Sequence, residues 1–102
     1  MIKIFDYRFL KKPKVSVIIS AYNNNGFLEK SLKSIVNQNF RNFEIIIAND
    51  GSTDSTSKII LALLKKSRKS FMFIDSKKNY GLPYMLNKCI FNSRGKYISR
   101  HD

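Results

Sequence analysis

Three runs rich in β-branched or aromatic residues stand out along this chain: Val15 to Ser20 (VSVIIS), Phe43 to Ala48 (FEIIIA) and Phe71 to Asp75 (FMFID). They show almost no polar alternation, which is how strands covered on both faces read. Lys96 to Arg100 (KYISR) is a weaker fourth. Between these runs the apolar period lengthens. Leu28, Leu32, Ile35 and Val36 fall on one helical face, as do Ile59, Ile60, Leu63 and Leu64, and then Leu82, Leu86, Cys89 and Ile90. The cluster Ser52-Thr53-Asp54-Ser55 predicts an N-cap for the second helix, and Gly95 a terminating glycine for the third. The order is β-α-β-α-β-α-β, and such alternation with short connections means parallel strands joined by right-handed crossovers. The expected fold class is therefore α/β, an open, mostly parallel sheet with flanking helices. Residues 1–14 read as a basic leader and residues 15–102 as one domain without internal repeats.

An open parallel sheet binds ligands beyond the carboxyl ends of its strands, at the crevice where strand order reverses. That selects Ser20, Tyr22 and Asn23 after the first run, Asn49, Asp50 and Gly51 after the second, Lys77 to Asn79 after the third, and His101 and Asp102 after the fourth. A tyrosine there can stack on a flat base, and a carboxylate can accept a base N–H. An acid after the fourth run could face a ribose or a metal-bound diphosphate, for which magnesium or manganese suits oxygen ligands. The structural alternatives stay open: turn and cap chemistry for Asp50, core packing for Tyr22 and a frayed terminus for Asp102.

Composition narrows the class. With 102 residues, 43% of them hydrophobic and 25% charged, the chain suits one compact domain. The longest apolar run, Ile59 to Leu64, is far short of the roughly 20 residues that cross a bilayer as a helix. The opening MIKIFDYRFLKKPK lacks the apolar centre of a secretory signal, so a cytoplasmic location is expected, with peripheral contact at the inner membrane surface as its extension. One cysteine and one histidine exclude an internal disulfide and a Cys/His zinc cluster. Cys89 itself reads as core. No Gly-x-Gly-x-x-Gly turn, P-loop or Gly-x-Ser-x-Gly elbow is present.

The net charge of +12 invites a polyanion reading, but residues 15–57 hold only three basic against four acidic residues, so the surplus lies outside the stretch richest in candidate chemistry. Solvated helix ends and loops account for it first, and adhesion to anionic lipid second. No nucleic-acid-binding motif accompanies the charge, so nucleic acid is not an expected partner.

The residues PKVSVIISAYNNNGFLEKSLKSIVNQNFRNFEIIIANDGSTDST, followed by NYGLPYMLNKCIFNSRGKYISRHD, resemble the N-terminal half of family 2 glycosyltransferases from about Pro13 to Asp102. The motifs that carry the resemblance are Ala-Tyr-Asn after a strand, Ser-Ile-x-x-Gln (Ser34 to Gln38), Glu-Ile-Ile-Ile, Asp-Gly-Ser-Thr-Asp, Asn-x-Gly (Asn79 to Gly81) and Gly-Lys-Tyr-Ile before an acidic turn. The resemblance implies the Rossmann-like nucleotide-sugar-binding half of a GT-A fold. In it Ser20, Tyr22 and Asp50 would hold the base of a UDP-sugar, and Asp102 would take the ribose-side position of an Asp-x-Asp motif. The metal-ligating position would fall beyond the C-terminus. The domain is thus expected to be C-terminally incomplete, with no catalytic residue of its own, little activity alone, and manganese or magnesium bound only by the complete enzyme. The implied partners are a nucleotide-sugar donor and a saccharide or glycolipid acceptor. A truncated sheet would also expose a strand edge for self-association. Asn49 departs from the paired acids frequent in the family and lowers the charge of that turn.

Overall fold

The computed structural model describes residues 2–21, 25–37, 42–51 and 54–101. In chain order the elements are β1 (Ile2–Asp6), β2 (Val15–Ala21), α1 (Asn25–Val36), β3 (Phe43–Asp50), α2 (Asp54–Ser67), β4 (Ser70–Ser76), α3 (Leu82–Asn92) and β5 (Tyr97–His101). All four predicted strands and all three predicted helices are present. The N-cap expected at Ser52-Thr53 lies outside the described residues.

The sheet runs β1-β4-β3-β2-β5. Strands β2 to β5 are parallel, and chain order reverses beside β2, since β3 and β4 extend the sheet on one side and β5 returns to the other. A fifth strand was not anticipated. Within the expected leader, Ile2–Asp6 pairs antiparallel with β4, Lys3 opposite Asp75 and Phe5 opposite Phe73. Its charged positions hid it, and the strand it needs is made near the other end of the chain.

Helices cover both faces, which is why the central strands read as unbroken apolar runs. On the first face Ile45, Ile47, Phe71 and Phe73 pack with Leu32 and Ile35 of α1 and Ile60 and Leu64 of α2. On the second, Ile18, Ile46, Met72 and Ile74 pack with Met85 and Cys89 of α3. β3 is buried at every position. Each fully buried isoleucine there contributes about 1.5–3 kcal/mol relative to exposure. Burial also pushes the Cys89 thiol up to about 12, as befits a core residue.

Two details differ from the expected pattern. The buried stripe of α3 is Met85 and Cys89, whereas Leu82 and Ile90 are exposed. Gly95 does not terminate α3, which ends at Asn92 with Ser93 as an extended C-cap. Gly95 is instead pressed against β2, where an added Cβ would lie 2.5 Å from the Ser16 nitrogen. Its own N–H donates to Ser16 Oγ at 2.8 Å.

The alternation of β3 places Glu44 and Asp50 on the same face as Ile46 and Ala48, at opposite ends of the strand beneath α3. Both carboxylates hold α3. Glu44 is fully buried and accepts from Arg94 N–H (2.7 Å), just past the helix, and from Ser16 Oγ (2.5 Å). Arg8, from the segment after β1, reaches Glu44 at 3.4 Å and donates to the Asn92 carbonyl at 2.6 Å. The other end of the helix rests on Asp50.

Candidate functional site

Asp50 is the last residue of β3, and its carboxylate lies against the N-terminal end of α3. Oδ1 accepts the Tyr80 N–H at 2.7 Å and Oδ2 the Gly81 N–H at 3.0 Å. A carboxylate is favoured there, because the first N–H groups of a helix have no partner within it and the dipole presents positive charge. The Asn-x-Gly motif now has a physical reason. Gly81 is the N-cap at φ +94°, a conformation that favours glycine, and Asn79 Oδ1 accepts the same Gly81 N–H at 3.0 Å. Gly51, at φ +71°, turns the chain out of β3 while its N–H donates to the Ser76 carbonyl at 2.9 Å. A Cβ on Gly51 would lie 3.1 Å from Asn79, so the two turns pack on each other.

Beneath this junction lies a recess of about 450 Å³, lined by Ser20, Ala21, Asp50, Asn79, Gly81, Leu82 and Met85. It sits at the carboxyl ends of β2 and β3, beside the reversal of strand order, where an open parallel sheet takes its ligands. Ser20 and Asp50 are brought together here, as the sequence predicts. Tyr22 and Asp102, the other two predicted site residues, lie outside the described residues. Each Asp50 oxygen has a lone pair beyond the backbone bond it accepts, so the carboxylate is pre-oriented and can still receive a ligand N–H.

Sequence reasoning did not assign the helix side of this recess, although Asn-x-Gly before a proline was a visible signal for a turn tied to a helix start. It also missed the rings of Tyr80 and Tyr84, stacked at 4.9 Å on the exposed surface beside the recess, with Lys88 Nζ 5.6 Å from the Tyr84 ring.

Asn49 points to the opposite face. Its Nδ2 lies 2.9 Å from both Ser57 Oγ and Asp75 Oδ1, and Ser57 Oγ donates to the same Asp75 oxygen at 2.8 Å. Asn49 Oδ1 is buried without a hydrogen-bond partner. The carboxylates of Asp50 and Asp75 are therefore on different sides of the sheet, each engaged by protein donors. Among the described residues no three His, Cys, Asp or Glu side chains come together. On opposite faces and with their oxygens already engaged, Asp50 and Asp75 do not fit a shared divalent metal ion.

The sequence profile described as glycosyl transferase family 2 matches residues 16–102. Among curated relatives, an uncharacterized glycosyltransferase of Haemophilus influenzae is 42% identical over 90 residues, covering 88% of this chain and 28% of the relative. The GalNAc(5)-diNAcBac-PP-undecaprenol beta-1,3-glucosyltransferase of Campylobacter jejuni is 32% identical over 90 residues, covering 88% of this chain and 29% of the relative. The chain thus spans under a third of the length of these relatives. Among solved structures, S. aureus TarS superimposes with a TM-score of 0.76 at 27% identity, over 87% of this chain and 16% of that one. The mannosyltransferase PcManGT of Pyrobaculum calidifontis, in complex with GDP-Man and Mn2+, gives 0.72 at 22% identity, over 80% and 25%. The latter likeness is one of fold.

Proposed function

Since this chain belongs to glycosyl transferase family 2, we propose that the recess at Asp50 is the base-binding end of a nucleotide-sugar donor pocket, in an enzyme that passes a sugar from a UDP-sugar to a saccharide or glycolipid acceptor. The observation that carries this is the pairing of Ser20 with a fixed Asp50 carboxylate in a recess at the reversal of strand order. Asp50 accepts the base N–H, and Ser20 supplies a second polar contact. Tyr22 stacks on the base and Asp102 lies toward the ribose, both by family resemblance. Binding of GDP-Man by PcManGT and the lipid-linked saccharide in the name of the Campylobacter relative support the donor and acceptor classes.

In the transfer itself an acceptor hydroxyl attacks the anomeric carbon, the bond to the diphosphate breaks, and a base takes the hydroxyl proton. The described residues serve only the nucleotide end of that reaction. A manganese or magnesium ion belongs, in this proposal, to the complete enzyme.

Titration of the folded chain with UDP, GDP, CDP and ADP, followed by calorimetry or NMR with and without manganese, tests the assignment. UDP is expected to bind selectively, at least tenfold more weakly to Asp50→Ala, with little change on adding manganese. An Asp50→Asn variant, which keeps one acceptor for the helix, and a dispersed NMR spectrum separate loss of the ligand contact from unfolding. A folded sample that binds no nucleotide would remove the donor-pocket assignment.

A further inference from the structure

A larger recess, about 690 Å³, lies on the other face of the sheet, between α2 and the antiparallel strand β1. Its size falls within the range of small-molecule sites, about 300–1,000 Å³. Phe5 and Phe73, stacked at 5.8 Å, and Leu61 supply its apolar wall. Lys3, Lys58 and Lys77 also line it, from β1, α2 and the turn after β4. None of the three has an ion-pair partner within 4.0 Å among the described residues. The one carboxylate in the lining, Asp75, already accepts from Asn49 and Ser57. Three lysines and an apolar wall thus share the lining with one engaged acid.

We propose that this recess binds a phosphate ester bearing an apolar or aromatic group, with the phosphate among Lys3, Lys58 and Lys77 and the apolar group against Phe5, Leu61 and Phe73. Lysine is a phosphate-binding point charge, and three of them lining one recess attract a dianion. The apolar wall discriminates between such an ester and free phosphate. The site stands apart from the Asp50 recess, because Asp75 and Asp50 lie on opposite faces of the sheet.

The test follows amide shifts in the isotope-labelled chain on titration with octyl phosphate below its micelle concentration, inorganic phosphate and octyl glucoside. Saturable shifts at Lys3, Ser57, Lys58 and Lys77 with octyl phosphate are expected, at least tenfold tighter than with inorganic phosphate and absent with octyl glucoside. Lys3→Glu with Lys58→Glu should weaken octyl phosphate at least tenfold. Leu61→Ser should weaken octyl phosphate and leave inorganic phosphate unchanged. Co-sedimentation with phosphatidic acid vesicles, lost in the double lysine variant, would identify a lipid headgroup as the source, and soluble binding without sedimentation a free ester. Binding unaffected by the lysine changes, equal affinity for inorganic phosphate, or shifts confined to the Asp50 side would overturn the proposal. UDP added to the same sample reports separately on the donor pocket.

Discussion

Asn49 shows how one residue can read as a departure in the sequence and as a requirement in the fold. Its amide nitrogen is 2.9 Å from Asp75, so an aspartate in its place would set two carboxylates against each other and leave Ser57 to serve both. Asn49→Asp should destabilise the chain at neutral pH by about 1–3 kcal/mol, the cost of a buried group left unpaired. The sign with pH follows from the crowding. Each carboxylate of such a pair has its folded-state pKa raised by the other, so the penalty is absent below the unfolded value of about 4 and grows as pH rises through the folded one. Urea denaturation at pH 3.5 and pH 7 measures it, and Asp75→Asn should relieve it. An equal loss at both pH values would mean the pair does not form. Of the residues proposed for the donor pocket, Asp50 was legible because strand end and family motif coincide there. Its bonds to Tyr80 and Gly81 were not, because backbone donors leave no mark in a side-chain pattern.

At the scale of elements, the apolar runs announced β2 to β4 and the apolar period all three helices, since a strand under two helical layers has to be apolar, whereas the exposed edge strand β5 gave only a weak run. Glu44, the second residue of β3 and next to its three isoleucines, was the unread clue. A charge inside a fully covered strand needs a partner. That partner is Arg8, brought by β1, which lies in a stretch rich enough in lysine and arginine to resemble a leader. Removing Arg8 strands a buried acid. Arg8→Ala is therefore expected to cost about 3–5 kcal/mol in chemical denaturation, with part regained in the double variant with Glu44→Gln. A cost under about 1 kcal/mol would mean that Ser16 and Arg94 satisfy Glu44 unaided. Arg8 also holds the Asp6 carboxyl below its ordinary value, first through their side-chain hydrogen bond. That contribution is present above the unfolded value near 4 and lost as pH falls through the lower folded one, and Arg8→Ala should remove it.

For the whole molecule, the sheet ends in two unlike edges. β1 closes one side with Lys3 and Asp6 in a five-residue strand, while β5 pairs with β2 alone among the described residues and leaves Tyr97 and Ile98 half exposed. Ile90 and the almost bare Phe91 of α3 add apolar surface. We expect concentration-dependent self-association through that edge despite the charge of +12, reduced by Ile98→Lys and read by light scattering. A monodisperse monomer at millimolar concentration would set it aside. The antiparallel edge has a different bearing, on how the protein is made. Ile2 leaves the ribosome well ahead of its register partner, Ser76. At roughly 5–20 residues per second the strand waits on the order of ten seconds for a place in the sheet. The strand made before its neighbour is the one that closes this edge of the sheet.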